Sequence, residues 1–175
     1  MTYAEAVDGL LEAFAWNPWF LETYWPENEP RVRLMARLAQ VQVPAAGRRR
    51  TLEVGCANGY VACLFSLLGF DVSAIDTYDD EKRSELFQKH GIRYHATNLN
   101  ELAALRELTE ASFDLVLMGE VFEHILNQSA RILESVRRLL RPGGVLILTT
   151  PNPSTIMNAC GLSATATCSG EPRNS

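Results

Sequence analysis

The chain has 175 residues, a formal net charge of −5 and four cysteines with no C-x-x-C pair. This length fits one domain with its own core, and the acidic balance argues against nucleic acid, which needs a clustered basic face. No apolar run reaches the ~18 residues that cross a bilayer, and the N-terminus lacks a signal-peptide layout. We therefore expect a cytoplasmic protein with reduced thiols and no membrane partner; the oligomeric state is left open.

Residues 1–46 are predicted to form an N-terminal helical cap. Thr2 and Glu5 have the spacing of a capping box, so a first helix is expected over residues 2–14. A second helix is predicted to begin at Glu29-Pro30, because proline is favoured in the first turn of a helix.

An aromatic cluster lies between these two predicted helices. It contains all three tryptophans, Trp16, Trp19 and Trp25. Pro18 and Pro26 are expected to break this segment into short pieces. The aromatic side chains could attach the cap to the rest of the fold, or some of them could line the mouth of a substrate site, and the sequence leaves both interpretations open.

Residues 47–151 alternate between short apolar strands and helices. Strands are predicted at Arg50–Gly55, Asp71–Asp76, Ile92–Ala96, Phe113–Gly119 and Val145–Thr150. Helices are predicted at Tyr60–Leu68, Asp80–Lys89, Glu101–Thr109 and Gln128–Leu140. This alternation predicts an α/β fold: a mostly parallel, Rossmann-like sheet with helices on both faces, in three α/β/α layers. Ligands of such sheets bind beyond the carboxyl ends of the strands.

A glycine turn follows the first predicted strand. Gly55 and Gly59 bracket it, with Ala57 between them, so the spacing G-x-A-x-G differs from the dinucleotide pattern G-x-G-x-x-G. Glycine lets the backbone approach a ligand closely, and the helix start that follows favours anionic groups. Asp76 ends the second strand, where a carboxylate can accept hydrogen bonds from ribose hydroxyls. These residues predict a nucleotide-type cofactor site; the alternatives are a plain tight turn and a capping aspartate.

Three segments resemble the class I S-adenosylmethionine-dependent methyltransferases. Thr51-Leu-Glu-Val-Gly-Cys-Ala-Asn-Gly-Tyr60 resembles their motif I, E/D-x-G-x-G-x-G, with Ala57 at the middle glycine. Phe113–Ile125 resembles the strand 4 signature F-D-x-V-x-x-x-E-V-x-E-H-[VI] of small-molecule and quinone methyltransferases. Leu140–Pro151 resembles motif III, so the resemblance covers roughly Thr51 to Pro151.

The resemblance implies S-adenosylmethionine as the cofactor and methyl transfer to a small-molecule acceptor, most readily at oxygen. Glu53 and the turn would then hold the methionine end, Asp76 the ribose, and the segment after strand 3 the adenine, although the family often has an acidic residue at Asn98. The implied cofactor-binding residues are Glu53, Gly55, Cys56, Ala57, Gly59, Asp76, Asn98, Leu99, Met118 and Gly119.

The catalytic residues are expected just after strand 4, at Glu120 and His124. The unperturbed pKa of histidine is near neutrality, so His124 is the natural general base; a structural histidine at a helix start is the alternative. The E-x-x-E-H spacing also resembles the metal set of some RNA and quinone methyltransferases. Glu120, Glu123 and His124 therefore form an alternative Mg²⁺ site, although no metal is favoured because no further histidine ligand is obvious.

The chain departs from the family after strand 5. Family members usually continue with two more strands, whereas residues 152–175 become rich in Gly, Ser, Thr and Ala and are predicted to be a disordered tail. A module that binds the donor or acts as a scaffold without catalysis is therefore the alternative to an active enzyme.

Overall fold

A computed structural model of the protein describes residues 1–43, 45, 49–77, 81–98, 105, 108–125 and 129–151. Within these residues the sheet has five strands, in the order β3-β2-β1-β4-β5, and each neighbouring pair is parallel. The strands are β1 Arg50–Val54, β2 Asp71–Asp76, β3 Arg93–Ala96, β4 Phe113–Gly119 and β5 Leu140–Thr149. The predicted parallel α/β architecture is confirmed, and the carboxyl ends of all five strands lie at one edge.

The helices flank this sheet on both faces. They are α1 Tyr3–Ala13, α2 Trp25–Gln42, α3 Tyr60–Leu67, α4 Glu81–Lys89 and α5 Ser129–Leu139, with a π-helical turn at Phe20–Tyr24 and a 3₁₀ turn at Phe122–His124. The predicted capping box at Thr2 and Glu5 is present. None of the helices in the described part of the chain is both long and apolar enough to cross a bilayer. Most of the predicted helix Glu101–Thr109 and all of the predicted tail lie outside the described residues.

The prediction that prolines divide the aromatic segment into short pieces is wrong in its second half. The π-helical turn Phe20–Tyr24 runs directly into α2, which begins at Trp25 rather than at Glu29. Pro26 falls in the first turn of α2, where a missing N–H costs little. The Trp25 N–H donates to the Phe20 carbonyl, five residues earlier, so the wider π turn carries the chain into the helix.

The fifth strand is longer than predicted, because it begins at Leu140 instead of Val145. Phe113 pairs with Leu140 and Leu115 pairs with Val145, so the ladder between β4 and β5 jumps several residues at Pro142-Gly143-Gly144. The segment Pro142-Gly143-Gly144 is therefore an irregularity inside β5, where Gly143 has a φ of +79°.

The cap and the sheet share one hydrophobic core. Leu10, Phe14 and Met35 of the cap belong to the same buried cluster as Leu115 and Leu117 of β4. A second cluster, on the opposite face, packs α5 against the alternate residues of the strands. Because side chains alternate along a strand, Leu52 and Val54 of β1 enter the α5 cluster, and Glu53 between them faces the cap.

Candidate cofactor site

The turn between β1 and α3 requires glycine at both ends. Gly55 has a φ of +75° and Gly59 a φ of +81°, in the left-handed region that glycine adopts without strain. A Cβ atom on Gly55 would stand 2.4 Å from Val121 Cγ2, and one on Gly59 would stand 2.3 Å from Phe87 Cε1. The turn is therefore built for close approach, and Gly59 forms the N-cap of α3.

Ala57 lies at the centre of this turn and is held from two sides. Its backbone N–H donates to Asp76 Oδ2 at 2.6 Å, and its carbonyl accepts from Arg83 Nη1 at 2.7 Å. Its φ of +44° is left-handed, which costs an alanine energy that a glycine would not pay. Ala57, which stands where the family motif has a glycine, thus adopts a backbone conformation that glycine favours.

Asp76 ends β2 and points at the glycine turn. One carboxylate oxygen accepts from Ala57; the other accepts from the backbone N–H of Thr77 at 2.6 Å and from its hydroxyl at 3.2 Å. The side chain is only partly buried, at the carboxyl edge of the sheet. This is the edge at which the sequence predicts a ribose site; in the structure the carboxylate accepts from two backbone N–H groups and the Thr77 hydroxyl.

A cavity of about 100 Å³ separates the turn from α2. Six residues that the sequence predicted line it: Glu53, Gly55, Cys56, Ala57, Gly119 and Glu120. Sequence reasoning missed Arg31 and Tyr60 in the same wall, whereas Tyr24, which also lines it, belongs to the aromatic cluster considered for a substrate mouth. The structure thus joins the predicted turn to the helical cap in one site.

Arg31 carries the positive charge in this wall. Its Nη2 donates to the Tyr60 hydroxyl at 2.8 Å and to Asn28 Oδ1 at 3.0 Å, and its Nη1 donates to Thr149 Oγ1 at 3.4 Å. Gly119 makes room for it, because a Cβ atom there would stand 2.8 Å from Arg31 Nη1. Arg31 Nη1 also donates to Met35 Sδ at 3.8 Å. A guanidinium fixed in this way from α2, α3 and β5 presents a positive charge to the cavity.

Glu53 contributes a buried carboxyl group to the wall of the same cavity. The residue is 6% exposed, and its Oε2 has no hydrogen-bond partner among the described residues. The pKa of Glu53 is raised to about 8, chiefly by burial; the backbone N–H of Ala62 and the charge of Arg31 lower it, while Asp76 raises it. An unpaired buried carboxyl is costly to ionise, so this group needs either a proton or a cation.

An aromatic path leads from the surface to the cavity. The Trp19 ring is about half exposed and lies 5.1 Å from the ring of Tyr24. The hydroxyls of Tyr24 and Tyr60 are 3.0 Å apart, and burial raises the pKa of Tyr60. Phe14, Phe20 and Trp25 are buried in the shared core. The aromatic cluster therefore attaches the cap to the sheet and also reaches the site.

The structure separates the two predicted catalytic residues. Glu120 lines the cavity with a strained φ of +55°, and its Oε1 lies 4.0 Å from Arg31 Nε. The His124 side chain is 79% exposed and is not part of the cavity wall; its Nε2 lies 4.0 Å from Glu123 Oε1. Across the described part of the chain, no group of three or more His, Cys, Asp or Glu side chains is placed to hold a metal, so the alternative ligand set is not assembled.

Met118 and Asn98, two further residues that the sequence predicted, do not line the cavity. Met118 is fully buried in the α5 cluster, so it can border a ligand only through its backbone. Asn98 follows β3 at the exposed carboxyl edge. Leu99 lies outside the described residues. The proposed roles of all these residues remain predictions.

A parallel sheet with a glycine turn after β1 and a carboxylate ending β2 defines the class of nucleotide-cofactor-binding α/β proteins. Within that class, residues 24–167 match the family model described as "Methyltransferase domain". The chain belongs to this methyltransferase-domain family, and the resemblance of its sequence motifs is confirmed.

Named relatives agree with this assignment. The chain is 34% identical over 133 residues to a probable S-adenosylmethionine-dependent methyltransferase of Mycobacterium tuberculosis, covering 75% of this chain and 44% of that protein. It is 35% identical over 129 residues to a ubiquinone biosynthesis O-methyltransferase of Rickettsia prowazekii, covering 71% of this chain and 49% of that protein. The chain thus spans about half the length of these curated relatives.

The fold also matches that of a solved methyltransferase. The 1,6-didemethyltoxoflavin-N1-methyltransferase of Burkholderia thailandensis, solved with bound 1,6-didemethyltoxoflavin and S-adenosylhomocysteine, superposes with a TM-score of 0.57. The two chains are 22% identical over 83% of this chain and 63% of the other. This match concerns the fold.

Proposed function

We propose that this chain binds S-adenosylmethionine in the cavity between α2 and the glycine turn and transfers its methyl group to a small molecule, at oxygen. The observation that carries the proposal is the pairing of charges in one small cavity. Arg31 offers a fixed cation, and Glu53 offers a carboxyl group whose Oε2 has no hydrogen-bond partner among the described residues. An amino acid, with its carboxylate and ammonium groups, complements this pair.

The residues present fit the amino-acid end of the donor. A cavity of about 100 Å³ suits that end alone, and the nucleoside would then extend towards the carboxyl edge of β2. There Asp76 would hold the ribose hydroxyls, and the segment that begins at Asn98 would flank the adenine.

The acceptor would enter along the aromatic path, beside Trp19 and Tyr24. S-adenosylmethionine, when bound, supplies an electrophilic methyl group on a sulfonium. The chain's own task is to place a nucleophile in line with that group and to take the proton that a hydroxyl acceptor loses. Glu120 lies in the cavity wall, and the exposed His124 follows it by four residues, so Glu120 would orient the acceptor and His124 would remove the proton.

The names of the relatives support catalysis over the alternative of a scaffold. One is a probable S-adenosylmethionine-dependent methyltransferase, and another is an O-methyltransferase of ubiquinone biosynthesis. The second name supports oxygen as the site of methylation.

Transfer of a labelled methyl group from S-adenosylmethionine tests this proposal. The purified chain would be incubated with panels of small hydroxyl, amine and carbon acceptors, beside a Glu120→Gln variant. We expect labelled product from hydroxyl acceptors and slower product formation by the variant. Binding of the donor without transfer to any panel would favour a donor-binding module, and transfer confined to amines would refute the O-methylation.

A further inference from the structure

A buried arginine on α4 reaches the glycine turn. Arg83 is 2% exposed, and its Nη1 donates to the Ala57 carbonyl at 2.7 Å. Its guanidinium carbon lies 4.3 Å from the centroid of the Tyr94 ring, on β3. Taking a charged group out of water is costly, so a buried guanidinium needs partners in fixed positions around it. Arg83 therefore holds one N–H against the centre of the turn, although it does not line the cavity.

The same helix packs directly against the end of the turn. A Cβ atom on Gly59 would stand 2.3 Å from Phe87 Cε1 and 3.4 Å from Arg83 Cγ. Phe87 is buried, and its ring centroid lies 5.9 Å from that of Tyr94. The stem of Arg83 thus lies against the turn while its guanidinium contacts Ala57, so α4 and the turn form one packed unit.

Ala57 needs this support because its backbone is left-handed. Its φ of +44° costs free energy in an alanine, whereas a glycine adopts this region without strain. Its N–H donates to Asp76 Oδ2, and its carbonyl accepts from Arg83. The first hydrogen bond holds the peptide plane before Ala57, and the second holds the peptide plane after it. Both backbone dihedral angles of Ala57 are therefore constrained.

We propose that Arg83 is a positioning residue for donor binding: its hydrogen bond to the Ala57 carbonyl keeps the turn in the conformation that a glycine at this position would adopt unaided. The inference rests on the proposed function, because Ala57 lines the cavity in which the amino-acid end of the donor would bind. Without the hydrogen bond, the strained alanine relaxes towards right-handed or extended backbone. Only the fraction of molecules that keeps the left-handed turn then binds the donor, so the apparent dissociation constant rises by the inverse of that fraction.

This role makes the effect of losing Arg83 depend on the residue at position 57. Arg83→Met removes the hydrogen bond and keeps an apolar stem, so in the wild-type background the dissociation constant for S-adenosylhomocysteine should rise about 10-fold. In an Ala57→Gly background the same substitution should raise it by less than about 3-fold, because glycine populates the left-handed region readily. A role confined to packing α4 against β3 would give the same rise in both backgrounds.

Isothermal titration calorimetry of S-adenosylhomocysteine on the full chain tests this dependence. It would compare the wild type, Arg83→Met, Ala57→Gly and the double variant, after circular dichroism confirms that each is folded. Arg83→Lys, whose ammonium can still donate to the carbonyl, should bind more tightly than Arg83→Met. Lys82→Met is the matched control and should bind as the wild type does, because Lys82 is an exposed neighbour on α4 whose Nζ lies 4.2 Å from the centroid of the Trp16 ring.

The outcomes separate this inference from the proposed function. An equal rise in both backgrounds, or no rise in Arg83→Met, overturns the positioning role and leaves the donor site intact. Equal weakening by Arg83→Lys and Arg83→Met also overturns it. Absence of binding by the folded wild-type chain overturns the donor site itself and the inference with it. If Arg83→Met does not fold, Arg83→Gln, which is polar but shorter than arginine, takes its place in the same comparison of the two backgrounds.

Discussion

The carboxylate of Asp76 accepts a 2.6 Å hydrogen bond from the backbone N–H of Ala57, which ties the end of β2 to the glycine turn after β1. The residue that the sequence assigned to a ribose therefore also shapes the turn. Ligand binding and local stability should depend on the same side chain.

Replacing Asp76 by alanine should lower both the stability of the protein and its affinity for the ligand. The variant loses hydrogen bonds to Ala57 and Thr77, so the free energy of unfolding should fall by about 1–3 kcal/mol, and the affinity for S-adenosylhomocysteine should fall by a similar free energy. Urea denaturation and calorimetry measure the two effects. Asp71→Ala is a matched control, because Asp71 begins the same strand and pairs with Arg93 at the surface. Unchanged affinity in Asp76→Ala would refute the ribose role.

Replacing Ala57 by glycine should stabilise the protein. Its φ of +44° strains an alanine, and relief of that strain should exceed the added entropy of the unfolded chain, leaving a gain of about 0.5–1 kcal/mol. Thermal or urea denaturation measures the difference. Ala62→Gly, in the regular backbone of α3, is the control and should destabilise by about 1 kcal/mol. Equal losses in both variants would show that the backbone at Ala57 is not strained.

Much of the fold could be predicted from local sequence. β2 and β4 were predicted with the observed bounds, because each is a short apolar run between turn residues. The glycine turn was predicted at Gly55 and Gly59, which both adopt the left-handed backbone conformation that glycine favours. The start of α2 was predicted wrongly, because the packing of Trp25 and Val32 outweighs the helix-breaking tendency of nearby prolines.

The position of Arg31 in the cavity wall could not be predicted from local sequence. Arg31 reaches the cavity through contacts with Tyr60, 29 residues away, and with Thr149, 118 residues away. Such long-range packing leaves no local pattern. One signal was present: Arg31 immediately precedes Val32 and lies one turn before Met35, both buried, so its side chain begins beside the apolar face of α2.

Removing the Tyr60 hydroxyl should weaken ligand binding more than removing that of Tyr24. The Tyr60 hydroxyl accepts the 2.8 Å hydrogen bond from Arg31, whereas the Tyr24 hydroxyl bonds to that of Tyr60 and to no other group among the described residues. Calorimetry with S-adenosylhomocysteine should give a dissociation constant about 5-fold higher for Tyr60→Phe, the scale of one hydrogen bond. A larger loss in Tyr24→Phe than in Tyr60→Phe would contradict this order.

The stability of the ligand-free protein should depend on pH through Glu53. Its folded-state pKa of about 8 lies above the ordinary value of 4.5, so its contribution is fully present below about pH 4.5 and is lost as the pH rises through 8. Glu53→Gln does not titrate, so its stability relative to the wild type should increase from pH 4.5 to pH 9. Urea denaturation across this range measures the difference, and a difference that does not vary with pH would exclude a protonated Glu53.

His124→Ala should slow methyl transfer without changing the affinity for the donor. The side chain is 79% exposed and does not line the cavity, so neither folding nor the donor site should respond. Single-turnover rates with an acceptor from the hydroxyl panel measure the effect, with Glu123→Ala as the neighbouring control. Undiminished turnover would remove His124 as the base.

Binding of S-adenosylmethionine to Arg31→Ala tests the central claim most directly. Calorimetry would compare the wild-type chain, Arg31→Ala and the control Arg37→Ala, an exposed arginine on the same helix, after circular dichroism confirms that each is folded. Hydrogen bonds to a charged group contribute about 1.5–3 kcal/mol, so the loss of Arg31 should weaken binding at least about 10-fold, while Arg37→Ala binds as the wild type does. Equal affinity in all three proteins would show that the amino-acid end of the donor does not lie in this cavity.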